Sequence, residues 1–119
     1  MPAFDANVLC AAQTGNFTST PGIRQATHDP ISPAALVITS TIGATPTVTV
    51  NIQGSVDGTN YFNIPYALVA TPATFVVTAI TITTAVSTTY LLQPNQPWQF
   101  IQIVASANTN VTLTATAYL

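Results

Sequence analysis

An alternation of apolar and polar residues over positions 47–64 constrains the fold of this chain more than any other feature. In its first half, the apolar members fall on one side of an extended backbone: Val48, Val50 and Ile52. A period of two residues is that of a strand with one buried face. The pattern breaks at Asp57-Gly58 and resumes at Phe62. Because Asp and Gly both tolerate positive φ, this dipeptide between two alternating runs predicts a β-hairpin.

Short β-strands are predicted over the whole chain after residue 30. The segments rich in β-branched or alternating residues are 35–40, 47–55, 61–65, 73–83, 87–92, 98–105 and 110–119. Turn residues separate them, and no amphipathic helix of about ten residues or more is evident. Residues 31–119 are therefore predicted to form one all-β domain, an antiparallel β-sandwich or jelly-roll of about seven or eight short strands.

Residues 1–30 lack a steady period and are interrupted by proline and glycine, which predicts an extended N-terminal interaction arm. Ordering such a segment costs about 1–2 kcal/mol per residue. At about 25 cal/mol per Å² of apolar surface, the offset needs well over about 1,000 Å², which a neighbouring subunit supplies more readily than this small domain. The candidate anchors of the arm are Phe4, Val8, Leu9, Phe17, Ile23 and Arg24.

Charged side chains are almost absent from this sequence. Only 3% of the 119 residues are charged, and none is charged between Gly58 and Leu119; about 25% is usual for a globular protein. A surface this neutral is expected to be largely covered in use. Segments 73–83 and 98–105 are apolar on both faces, whereas one face of a strand in a two-layer sandwich is normally exposed to solvent. We therefore expect the arm or another subunit to cover one of the two sheets. With one arginine and no lysine, the chain lacks the positive charge needed to bind the phosphates of nucleic acid.

Membrane insertion and secretion are not expected for this chain. No run approaches the roughly 18 apolar residues of a spanning helix, and the first residues, MPAFD, lack a basic stretch typical of a signal peptide. The single cysteine, Cys10, cannot form an intramolecular disulfide. We expect it to be either a small buried apolar residue or a residue of the arm with no chemical role.

Residues able to support catalysis or metal binding are equally scarce. His28 and Asp29 are adjacent, so on an extended backbone their side chains point apart, and we interpret them as a polar pair of the arm. Asp57 is expected to shape the hairpin turn, because a calcium site needs several oxygen ligands and this stretch has one carboxylate. No metal-ligand spacing, phosphate loop or nucleophile elbow occurs. We therefore expect no enzymatic activity, no catalytic residue, no metal and no cofactor.

The hairpin resembles a motif of small tailed-phage capsid decoration (cement) proteins. In that family an alternating strand is followed by Gly-Ser-x-Asp-Gly-x-Asn and an aromatic residue, matched here by Gly54, Ser55, Asp57, Gly58, Asn60 and Tyr61. Trp98, Phe100, Ile101 and Ile103 resemble a later strand of the family, and 111–119 resembles its threonine-rich last strand. In place of the arginine usual on the later strand, this chain has Gln99 and Gln102.

This resemblance implies a virion structural protein on the outer surface of a bacteriophage head, where it stabilises contacts between capsomers. Its implied partners are the major capsid protein and copies of itself, as a homotrimer, with no nucleic acid or membrane. Two other functions stay open: a carbohydrate-binding module of a phage fibre, and a tail or baseplate subunit. The sugar-binding hypothesis uses an aromatic platform drawn from Trp98, Tyr61, Tyr66, Tyr90 and Tyr118.

Overall fold

The alternating run at 47–55 belongs to a much longer strand in the computed structural model, which describes residues 6–24, 34–94 and 96–119. The described residues contain nine strands: β1 Ala6–Gln13, β2 Phe17–Thr18, β3 Gly22–Ile23, β4 Ala35–Ser55, β5 Phe62–Asn63, β6 Tyr66–Leu68, β7 Ile80–Ile82, β8 Ser87–Leu92 and β9 Phe100–Tyr118. All their pairings are antiparallel. No helix in these ranges is long and apolar enough to cross a bilayer.

The two long strands, β4 and β9, pair with each other along most of their length and organise the sheet. One half of the sheet has the order β1-β9-β4-β8-β6. In the other half, β2 and β3 flank β9, while β5 and β7 flank β4. Consequently β5, β6 and β7 all lie on the side of β4 away from β9.

A break in register in the middle of β4 and β9 divides the sheet into its two halves. Pairing shifts between Ile42 and Thr47 and again between Thr47 and Thr49. Nearby, three residues other than glycine adopt positive φ: Thr45, Ala107 and Asn110. Extra residues of this kind bend a strand and increase its twist. Side-chain amides bond the backbone at the bend, with Asn110 Nδ2 donating to the Ala44 carbonyl at 2.6 Å.

The two halves face each other across a single apolar core. The core combines residues of both halves of the long strands, including Leu36 with Val50 on β4 and Ile103 with Leu113 on β9. Contact between the halves is direct at Gly22, where an added Cβ would lie 3.0 Å from Leu119 Cδ1 and 3.1 Å from Leu9 Cδ2. The predicted all-β sandwich is therefore confirmed.

The predicted N-terminal arm is wrong for residues 6–24, which form β1, β2 and β3 and pair with β9. Leu9 and Cys10 are both buried in the common core. Strand β1 is not evident from the sequence because register shifts between Val8 and Cys10 and between Cys10 and Gln13 interrupt its period of two. Phe4, His28 and Asp29 lie outside the described residues.

The later strand boundaries also differ from the prediction in places. Segments 35–40 and 47–55 are parts of one strand, as are 98–105 and 110–119, and 87–92 is confirmed as β8. Segment 61–65 is reduced to β5 and 73–83 to β7, with one isolated bridge between Tyr66 and Val76. Strand β6, which follows Pro65, was not predicted.

Candidate interaction surfaces

The predicted hairpin is present, and Asp57 organises its turn. Gln53 and Gly54 pair with Asn63 and Phe62 across the two strands. The carboxylate of Asp57 accepts the backbone N–H groups of Thr59 and Asn60, both at 2.9 Å. It also accepts the side-chain amide of Asn60 at 2.9 Å and the hydroxyl of Ser55 at 3.0 Å. Both oxygens of the Asp57 carboxylate thus accept hydrogen bonds within its own turn, as expected of a structural residue.

Of the Asp-Gly pair, only Gly58 adopts positive φ, at 77°. Its N–H donates to the Ser55 hydroxyl at 2.9 Å. An added Cβ at this position would lie 3.2 Å from Phe100 Cε2, so both the backbone angle and the neighbouring ring favour glycine.

Hydrogen bonds to the ionised form hold the pKa of Asp57 far below its ordinary value of 3.8, the largest contribution coming from the Asn60 N–H and the next from the Thr59 N–H. Stability supplied by this carboxylate is therefore fully present above about pH 4 and is lost as pH falls through the folded-state pKa.

We expect Asp57→Asn to be less stable than wild type at neutral pH and to lose less stability on acidification. Thermal unfolding of both proteins between about pH 7 and pH 2 measures the difference, since the other carboxyls are common to both. Parallel pH profiles would contradict this role for Asp57.

Gly54, near the end of β4 before this turn, leaves room for Trp98 to pack against the sheet. Gly54 is buried, and a Cβ added there would lie 2.8 Å from Trp98 Cγ. Phe62 covers the indole with a ring-centroid distance of 6.4 Å and a tilt of 39°. The motif Gly54, Asp57, Gly58, Asn60 and Tyr61 therefore does two local tasks: it closes a turn, and it leaves room for one large aromatic side chain.

Amide side chains form a ladder across the outer face of the hairpin half. Gln102 Nε2 donates to Gln53 Oε1 at 2.9 Å, and Gln53 Nε2 donates to Asn63 Oδ1 at 3.1 Å. Gln102 is buried, and Gln99 Nε2 donates to the carbonyl of Arg24 at 2.8 Å. Gln99 and Gln102, which stand where the decoration proteins that the hairpin resembles have an arginine, thus bond within the chain.

The candidate anchors of the predicted arm have different environments. Leu9 is buried, and Phe17 packs against the core. The guanidinium of Arg24 is half-buried and donates from Nη1 to the Gln96 carbonyl at 3.3 Å, and burial lowers its pKa. Among the anchors that lie in the described residues, Val8 and Ile23 are the exposed apolar side chains, with 60% and 55% of their surface accessible. These two remain candidates for contact with a partner.

The aromatic residues proposed for a sugar platform are not gathered on one exposed surface. Tyr66 and Tyr90 are buried and pack edge to face, with centroids 5.4 Å apart. Trp98 lies over Gly54 and packs against the core. No group of three metal-ligating side chains occurs among the described residues.

Cys10 is buried, the first of its two expected environments, and its Sγ–H donates to the Leu113 carbonyl at 3.6 Å. Burial raises the pKa of this thiol, and a backbone hydrogen bond from Ala115 opposes the effect more weakly. A thiol of this kind is poorly reactive, because the thiolate is the nucleophile. Its role is therefore in packing.

An apolar groove of about 370 Å³ opens where the two layers meet on the β5–β6–β7 side. Its buried walls are Tyr66, Tyr90 and Ile80, and threonine side chains lie around it. We name as the apolar edge the exposed side chains on this side of the molecule: Phe62, Leu68, Val69, Val76 and Val77. The sequence prediction placed 73–83 in a strand covered on both faces, and most of that segment is instead an exposed connection.

Comparisons with known proteins identify a shared fold. No family model and no curated protein matches this sequence. The structure is similar to that of the SPBc2 prophage-derived protein YomS, with a TM-score of 0.63 over 98% of this chain and 94% of that chain. The two sequences are 9% identical, so the similarity is one of fold.

Proposed function

We propose that this chain is a structural subunit of a bacteriophage particle. The observation that carries the proposal is the fold that it shares, over nearly the whole of both chains, with a prophage-derived protein. Fold similarity alone is an argument by analogy. The sequence motif of the hairpin supports it independently, because Gly54, Asp57 and Gly58 are the residues by which the chain resembles small phage decoration proteins.

Within that class, the role we propose is capsid decoration: the protein binds the outer surface of the head and strengthens contacts between capsomers. Its partners are the major capsid protein and further copies of itself, in a homotrimer. The chemistry of the described residues suits a mechanical role better than a catalytic one. Asp57 is engaged in its own turn and Cys10 is buried, so neither is free to react with a substrate.

Mechanical strength in this fold comes from β4 and β9, of 21 and 19 residues, which run through both layers. A load applied to one end of the domain is shared over the long ladder of hydrogen bonds between them. Binding to a capsid then requires an extensive surface rather than a few reactive groups, since stable interfaces bury about 1,200–2,000 Å² in total. The exposed apolar side chains of this neutral domain supply such a surface.

Purified phage particles that encode this protein test the proposal. We expect mass spectrometry to detect the chain in the particles and antibody labelling to place it on the outside of the head. Purified protein added to heads that lack it should bind and raise their thermal disruption temperature. Absence from the particles would overturn the structural role, and labelling confined to the tail would replace decoration by a tail or baseplate role. Binding to a glycan array without binding to heads would favour the fibre module.

A further inference from the structure

We propose that the apolar edge, with the groove beside it, is the surface on which a second copy of this chain packs. The inference rests on the proposed function, in which many copies of the chain lie side by side on one particle. It goes further by assigning the contact to one side of the domain. Leu68 and Val76 border the groove, and Val69 and Val77 adjoin them in sequence, with accessible fractions between 39% and 57%.

A cluster of this kind is unusual on the free surface of a small protein. Single exposed apolar residues are common, but contiguous apolar patches usually mark interaction sites. Phe62, with 59% of its surface accessible, lies in β5, which pairs with β4 as β7 does. Burial of these side chains against a partner would remove their exposed apolar surface from water, which favours association.

The charge distribution favours a copy of the same chain as the partner. No charged side chain occurs between Gly58 and Leu119, so the edge and the groove are entirely neutral. An ordinary protein surface is rich in charged residues, and covering this edge with one would bury unpaired charges at considerable cost. This chain has only four charged side chains in 119 residues, and a second copy can therefore cover the edge without burying any.

The dimensions of the molecule allow an interface of the required size. The domain measures 42 × 30 × 25 Å. The smallest face of a box of these dimensions is about 750 Å², so the domain is large enough for an interface of roughly 800 Å² per partner. A partner of the same size can cover the whole edge, whereas a short peptide in the groove would leave most of these side chains exposed.

Variants with one new charge test the assignment on the full chain. Val77→Asp and Leu68→Asp place a carboxylate on the apolar edge, and Ile42→Asp places one at an exposed apolar position near the bend of β4, outside that edge. We expect wild type and Ile42→Asp to associate alike, and the two edge variants to dissociate at about tenfold higher concentration or more. Sedimentation and light scattering over a concentration series measure the mass. Circular dichroism and the fluorescence of Trp98, the single tryptophan, verify that each variant is folded.

Three results would overturn the inference: a wild-type protein that is monomeric at all concentrations, edge variants that associate as wild type does, or an equal loss in Ile42→Asp. These results are separable from a failure of the proposed function. A chain that is present on particles but monomeric in solution refutes the self-contact alone. A chain that associates through the edge but is absent from particles refutes the structural role in the phage.

Discussion

Replacing Leu113 with alanine is expected to lower the free energy of unfolding by about 2–5 kcal/mol. Leu113 is fully buried and lies in β9 between Gln13 of β1 and Ser40 of β4. Because β9 is paired on both sides here, the backbone cannot move inward to fill the space that the lost side chain leaves. A domain of this size has about 5–15 kcal/mol of stability in total, so the loss is a large part of it.

Urea unfolding followed by the fluorescence of Trp98 measures this effect. The matched control is Thr41→Ala, since Thr41 is an exposed residue that pairs with Thr112, the neighbour of Leu113, on the opposite face of the same sheet. Surface substitutions of this kind usually change stability by less than about 0.5 kcal/mol. A loss below about 1 kcal/mol in Leu113→Ala would mean that the two layers of the sandwich are not held together at this position.

Much of this fold was predictable because several of its strands and turns are determined by residues that are close together in the sequence. Val48, Val50 and Ile52 alternate with polar residues, and all three are buried in the core as the period of two requires. Strand β8 has the predicted limits, Ser87–Leu92, since it is a short alternating run between turns. The structural role of Asp57 was also predictable, because a carboxylate at a turn bonds amides only two and three residues away.

The strands that were missed depend on distant partners. Strand β1 buries Leu9 and Cys10, but its register with β9 shifts twice, and the alternation in its own sequence is lost. Its partner is more than a hundred residues away, as in the bond between Cys10 and Leu113. Strands β2 and β3 have two residues each, too few to show any period.

The candidate surfaces were the least predictable part. Segment 73–83 contains the apolar run Phe75, Val76 and Val77, which is typical of a covered strand, yet only Ile80–Ile82 pairs with β4. Whether such a run is inside or outside depends on how the two layers close at this side of the sandwich. The contact between Gly54 and Trp98 was unpredictable for a similar reason, since these residues are 44 positions apart in the sequence and meet only after folding.

That contact supports the second large expected effect: Gly54→Val should lower the free energy of unfolding by about 3 kcal/mol or more, and Gly54→Ala by about 1–2 kcal/mol. A Cβ at residue 54 would lie 2.8 Å from Trp98 Cγ, 2.9 Å from Trp98 Cδ2 and 3.1 Å from Ile64 Cγ2. Distances this short require the indole to leave its place over the strand. The φ angle of Gly54 is not positive, so backbone strain does not contribute and the steric effect is isolated.

A double-mutant cycle with Trp98→Ala distinguishes this steric cause from a general intolerance of side chains at residue 54. With the indole removed, Gly54→Ala should be close to neutral or slightly stabilising, because alanine restricts the unfolded chain more than glycine does. Urea unfolding followed by circular dichroism measures all four proteins, since the tryptophan variants lack the fluorophore. An equal loss with and without the indole would show that Trp98 does not require glycine at this position. If the cycle behaves as expected, Gly54 is required because Trp98 packs directly over it. The hairpin turn and the tryptophan then form one structural unit.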